Sequence, residues 1–220
     1  ISNVSELQAM EDDLDANYTL VSDIDALQTA QWNDGAGFDP VGGDDTTTTP
    51  PPFSGSFDGN SHIIFRLTID RPDEVAPVGL FASTESGATL RDVTLTNVTV
   101  TGGERKVGSI TGSNGGTIKN VRASGGTQTN RPSVTGTGGE VIGGLVGQNN
   151  GQIKNTRFSG DVTGVDQVGG IAGRNSGTIQ TSRASGDMTT TGTFGTFGVG
   201  GLVGVNKGTI QETFAVGSII

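Results

Sequence analysis

The sequence contains no cysteine, so no disulfide staples it and nothing in its thiol chemistry fixes a compartment. It has one histidine, His62, one tryptophan, Trp32, and one tyrosine, Tyr18. A lone histidine beside a turn is ordinarily incidental, and no His-Glu-x-x-His pair exists to hold a peptidase zinc. No apolar run approaches the roughly 20 residues of a membrane span. No secretory leader is visible, but the chain starts at Ile1 rather than Met, which is compatible with a removed leader.

Basic residues are also scarce, 13 against 23 acidic ones, and their distribution is uneven. Residues 1–100 carry 17 acidic and 3 basic side chains, net −14; residues 101–220 carry 6 and 10, net +4. Aspartate exceeds glutamate 16 to 7, a balance that suits solubility in a salt-rich habitat. The modest basic excess of the second half has no aromatic platform interleaved with it, which argues against nucleic acid as a partner.

What the chain has in abundance is glycine, 38 of 220 residues, placed by a 19-residue phrase that occurs four times. The copies begin at Val107, Ile142, Val168 and Val199 and align without internal gaps; only the segments between them vary in length. Fixed columns are Gly108, Gly143, Gly169 and Gly200 at the second position, Asn114, Asn149, Asn175 and Asn206 at the eighth, and Gly116, Gly151, Gly177 and Gly208 at the tenth. Ile118, Ile153, Ile179 and Ile210 form the twelfth. The apolar runs between glycines are too short for a helical stripe and suit short strands.

Such a unit predicts an all-β, right-handed parallel β-helix (β-solenoid), in which each phrase supplies two strands joined at the Asn-x-Gly corner and the spacer completes the coil. The handedness follows only from the general preference of parallel crossovers. Isoleucines should stack in an inner column and the four asparagines should form a structural ladder.

The pattern Gly200 to Gly208, G-G-L-V-G-V-N-K-G, with its copies, resembles the GLUG-motif repeats of large bacterial and archaeal surface proteins, including adhesin-like proteins and some surface-attached IgA-specific metallopeptidases. The stretches from Asp15, Phe53 and Val78 are similar to the segments that precede such repeats. The resemblance implies a scaffold at the cell surface, with any catalytic centre in another domain.

The whole chain reads as one solenoid domain, residues 1–220. Residues 1–25 are a cap and first strand: Asn3 caps a short helix with Glu6 three residues on, and Leu7, Met10 and Leu14 mark its apolar face. Tyr18 to Ile24 reads as one strand. Residues 26–77 are irregular first coils, with Trp32 and Phe38 plugging the core, a Thr/Pro-rich excursion at 44–52, and Ile63, Phe65, Leu67 and Ile69 alternating after the turn at Asp58-Gly59-Asn60. Residues 78–220 are repeat coils, the first of them a degenerate copy from Val78 to Thr99. Phe194 and Phe197 lie in a spacer and are read as packing residues before ligand contacts.

Three functional readings follow. The first is a non-enzymatic extracellular structural or adhesive module whose partners are other chains or glycans at the cell surface. The second is a subunit that stacks head to tail into a filament, its self-association end being Ser218, Ile219 and Ile220, an apolar tail directly after the fourth phrase. The third is a polysaccharide lyase or hydrolase using Asp23 and Asp25, with Asp39, Asp44, Asp45 and Asp58 as nearby acids; these acids also offer a Ca²⁺ site, although no cofactor is required and Asp58 suits an Asx-turn. Asn3, Asn17 and Asn97 stand in glycosylation sequons. Arg122, Arg157 and Arg183 stack at the sixteenth phrase position, where like charges repel by about 1 kcal/mol per neighbouring pair in water-like surroundings. That column is read as a solvated face, with an anionic glycan as the alternative.

Overall fold

A computed structural model describes residues 1–43, 50–125, 131–138, 141–192 and 198–220. Asp44, Asp45, most of the Thr/Pro-rich excursion, Phe194 and Phe197 lie outside these residues. The chain is a parallel β-solenoid, nearly all β, with one short N-terminal helix.

A full coil contains five short strands. One such coil is Val141–Gly143, Val146–Asn149, Gln152–Lys154, Arg157–Ser159 and Asp161–Gly164. Each strand pairs in parallel with its equivalent in the coils above and below, giving five sheets of four, five, seven, seven and five strands in their order along the coil. The 19-residue phrase therefore holds three complete strands and the end of a fourth, rather than two. Strands this short follow from the sequence, because a glycine or a corner residue interrupts each apolar run before it can extend.

Register is set by the core column. Tyr18, Phe57, Leu90, Ile118, Ile153, Ile179 and Ile210 stand on one another through the third sheet. Slipping by one residue would turn this column outward, so it locks the stack. The core changes character along the axis. Phe38, Phe53, Phe57 and Phe81 fill the first coils, with ring centroids 4.8 Å apart for Phe53 and Phe81 and 5.6 Å for Phe57 and Phe81. Aliphatics fill the later ones, except at Phe158, which occupies the position of Ala123, Ala184 and Ala215 and is accommodated by Gly144 against its ring.

The first coil is sealed. The helix Val4–Gln8 and the 3-10 turn Ala9–Asp12 bury Val4, Leu7, Met10 and Leu14 over it. Asn3 accepts from the Glu6 amide at 3.0 Å, as a helix cap should, while Glu6 reaches back to the amide of Ser2 at 2.7 Å rather than that of Asn3. The outer edge of the first strand is occupied by Ile1, which donates to the Thr19 carbonyl and accepts from the Val21 amide. Phe38 is fully buried below this cap and Trp32 packs partly against the core.

Two expected strands differ. Tyr18 to Ile24 is two strands, Asn17–Thr19 and Ile24–Asp25, which lie in different sheets with a corner between them. After Gly59 the inward residues are Ile64, Leu67 and Ile69, because Arg66 adopts φ 62° at a corner and breaks the alternation expected for Ile63 and Phe65.

Candidate functional site

The asparagine column is a continuous ladder. The Asn114 amide donates to Asn149 Oδ1 at 2.7 Å, Asn149 to Asn175 at 2.7 Å, and Asn175 to Asn206 at 2.8 Å. Thr84 starts it, donating to Asn114 Oδ1 at 2.9 Å. Each asparagine also donates to the carbonyl of the phrase glycine two residues on, at 3.1–3.3 Å, which ties down the corner. Asn114, Asn149 and Asn175 are fully buried and Asn206 is exposed. Each of these three buried amides has both donors and its oxygen engaged within the stack.

A second polar column runs along the next corner of the coil. The fourteenth phrase residues Asn120, Asn155, Thr181 and Glu212 all have φ between 49° and 55°, and Asp92 takes the same conformation one coil earlier. Asn155 donates to Asn120 at 2.7 Å, Asn120 to Asp92 at 2.9 Å, and Thr181 to Glu212 at 3.2 Å. The signal was present as Asn at this position in two copies, but Thr and Glu in the other two hide it. A β-branched residue is strained in the left-handed region, where Asn is tolerated. Thr181→Asn is therefore expected to raise stability by about 1 kcal/mol, read as an increase in melting temperature.

The acids considered for catalysis are engaged separately. Asp23 accepts from the Ile63 amide at 3.0 Å and contacts His62 Nδ1 at 3.2 Å; Asp25 pairs with Arg66. The Ile63 amide, then His62, hold the Asp23 carboxyl below its ordinary value, and the Arg66 guanidinium does the same for Asp25. Neither is raised as a general acid requires. Asp39 pairs with Arg71 at 3.1 Å, and Asp58 pairs with Arg91 at 2.5 Å while closing an Asx-turn on Asn60 at 2.8 Å. Among the described residues no three His, Asp or Glu side chains gather in a geometry that would hold a metal ion.

These depressed carboxyls, with Glu6 lowered by the Ser2 amide, cluster at the capped end. A carboxyl with a lowered folded-state pKa contributes stability that is present above its unfolded value and lost as pH falls through the folded one. Glu11, raised by burial and then by Asp39, acts in the opposite sense. On acid titration below the ordinary values of 3.8 and 4.5, Trp32 fluorescence should report loosening of this end before the far-ultraviolet strand signal is lost.

The sequon residues occupy three settings. Asn3 is the helix cap, Asn17 accepts from Ser56 on an exposed strand, and Asn97 sits at a corner with φ 51°. At the other end of the stack, Ser218, Ile219 and Ile220 extend the fifth sheet: Met188 donates to the Ser218 carbonyl at 2.9 Å and Ile220 to that of Met188 at 2.9 Å. Phe214, Val216, Ile219 and Ile220 are 53–66% exposed there.

One of these stacked phrases matches a known repeat. Residues 138–163, which contain the second phrase through Gly160, match the model of the GLUG motif. The second phrase carries a GLUG motif. The matched segment runs through the five-strand turn described above, with Asn149 and Gly151 at one of its corners. Halomucin from Haloquadratum walsbyi (strain DSM 16790 / HBSQ001) is 38% identical over 129 residues, which is 57% of this chain; the chain spans about one hundredth of that relative's length. A crystal structure of a Bacteroides ovatus chain, provisionally described as an immunoglobulin A1 protease, superposes with a TM-score of 0.56 over the whole of this chain and 76% of that one at 18% identity, a likeness of fold. The GLUG solenoid and the halomucin relative fit a structural module. No helix among the described residues is long and apolar enough to cross a membrane.

Proposed function

We propose that the chain is a non-enzymatic GLUG rod segment of an extracellular cell-surface protein, separating other parts of that protein and presenting its loops for adhesion. The observation that carries this reading is where the recurring residues are used: the motif's asparagines, isoleucines and glycines are all committed to holding one coil on the next. The relationship to a vastly longer halomucin supports it, since a stack of identical coils is a means of gaining length. Antibody labelling of intact cells that produce the protein tests it. Labelling without permeabilisation is expected; labelling only after lysis would contradict an extracellular rod.

A further inference from the structure

Four arginines of this chain have acidic partners among the described residues. Arg66 pairs with Asp25, Arg71 with Asp39 and Glu74, Arg91 with Asp58 and Asp92, and Arg131 with Asp161. Arg122, Arg157 and Arg183 differ from these four, and from Arg174, in forming a continuous stack. They stand directly on one another in the fourth sheet, and none makes an ion pair with a described carboxylate, although acidic residues outnumber basic ones 23 to 13 in the chain.

Their setting is a groove. Ala123, Phe158 and Ala184 point inward on the same strands, so the arginines face out at the strand spacing of about 4.8 Å. Asn120, Asn155, Thr156 and Thr181 form the floor beside them. Beyond that corner, Lys119 stacks on Lys154, both exposed. The acids at the two ends of the corner are engaged, Asp92 by Asn120 and Arg91, Glu212 by Thr181. Arg157 and Arg183 each have a buried Nε without a partner. Burial, with Arg122 and Arg183 on either side, pushes the Arg157 guanidinium below its ordinary value. Three like charges are thus held together on one face without an ion pair to any described carboxylate.

We propose that this strip binds an extended anionic polysaccharide, whose sulfate or carboxylate groups sit on successive guanidiniums while its hydroxyls bond the Asn and Thr floor. Guanidinium forks match such anions in a bidentate manner, and a straight column of them suits a linear polymer more than a compact ion. A single nucleic-acid strand fits less well. Among the described residues no exposed aromatic ring lies between Arg122 and Arg183 for base stacking, and Phe214 lies under Arg183 with the guanidinium 5.2 Å from its centroid. The inference goes beyond the rod reading, because the same rod is formed with or without this ligand.

Titration calorimetry of the full chain with dextran sulfate, polygalacturonate, neutral dextran and oligothymidylate, at two salt concentrations, tests it. Binding of at least one of the two acidic polysaccharides, weakening with salt, and none of neutral dextran are expected; the two polymers separate sulfate from carboxylate recognition. Arg157→Gln with Arg183→Gln should weaken binding by about tenfold, whereas Lys207→Gln, outside the groove, should leave it unchanged. Melting without ligand should be no lower in the double variant, since repulsion has been relieved. Should that variant fail to fold, Arg183→Lys keeps the charge, loses the fork and is expected to bind less tightly with an unaltered melt. Absence of binding by the unmodified chain, equal losses in Lys207→Gln, or tighter binding of oligothymidylate would overturn the proposal. None of these results bears on whether cells display the rod.

Discussion

Asn149→Ala is expected to destabilise the solenoid by about 3–5 kcal/mol, measured by denaturant unfolding, with a cost per orphaned amide group of about 1–3 kcal/mol. The change cuts the ladder in the middle. Asn114 loses the acceptor at 2.7 Å, Asn175 loses its donor at 2.7 Å, and the Gly151 carbonyl loses its side-chain bond. All of this happens where water does not reach, since Asn149 is fully buried. Asn206→Ala removes the same chemistry from the exposed end of the same column. There water replaces what is lost, and the expected cost is below about 1 kcal/mol. The contrast matters more than either value: a ladder with merely local effects would give similar losses at both positions.

Gly177→Ala should be at least as damaging. A Cβ at that position would stand 2.0 Å from the Gly151 carbonyl oxygen of the preceding coil, and Gly151 and Gly208 are in the same relation to the glycines before them. Neither atom belongs to a flexible side chain, so the coils themselves must separate. A cost above about 3 kcal/mol is expected, or loss of folding in a truncated stack. Gly87→Ala is the control. It meets nothing within 4 Å and is expected to be neutral. This column is glycine because of close approach, not because of positive φ, which among the phrase glycines occurs at Gly186 and Gly217.

These columns were legible because a solenoid maps sequence period onto space with little ambiguity. Residues at equal phrase positions must stack, so the Asn114–Asn206 ladder and the isoleucine column follow from the sequence period. The strand boundaries were not. Corners at Arg66, Asn97 and Asn120 use non-glycine residues with positive φ, and nothing in an apolar alternation marks them, so the phrase resembles two strands when it contains three. The cap was legible from Asn3, Leu7, Met10 and Leu14, yet its consequence was not: that Ile1 closes the first strand edge depends on an 18-residue return of the chain. Arg122, Arg157 and Arg183 could be stacked from sequence alone. That their acidic neighbours are engaged elsewhere required the positions of Asp92 and Glu212.

The account rests on the motif asparagines being internal fastenings rather than contact residues, and side-chain amide hydrogen exchange by nuclear magnetic resonance tests that most directly. Slow exchange is predicted for the Nδ2 hydrogens of Asn114, Asn149 and Asn175, and fast exchange for Asn206. Rapid exchange at all four would contradict the ladder and return the motif's asparagines to the surface.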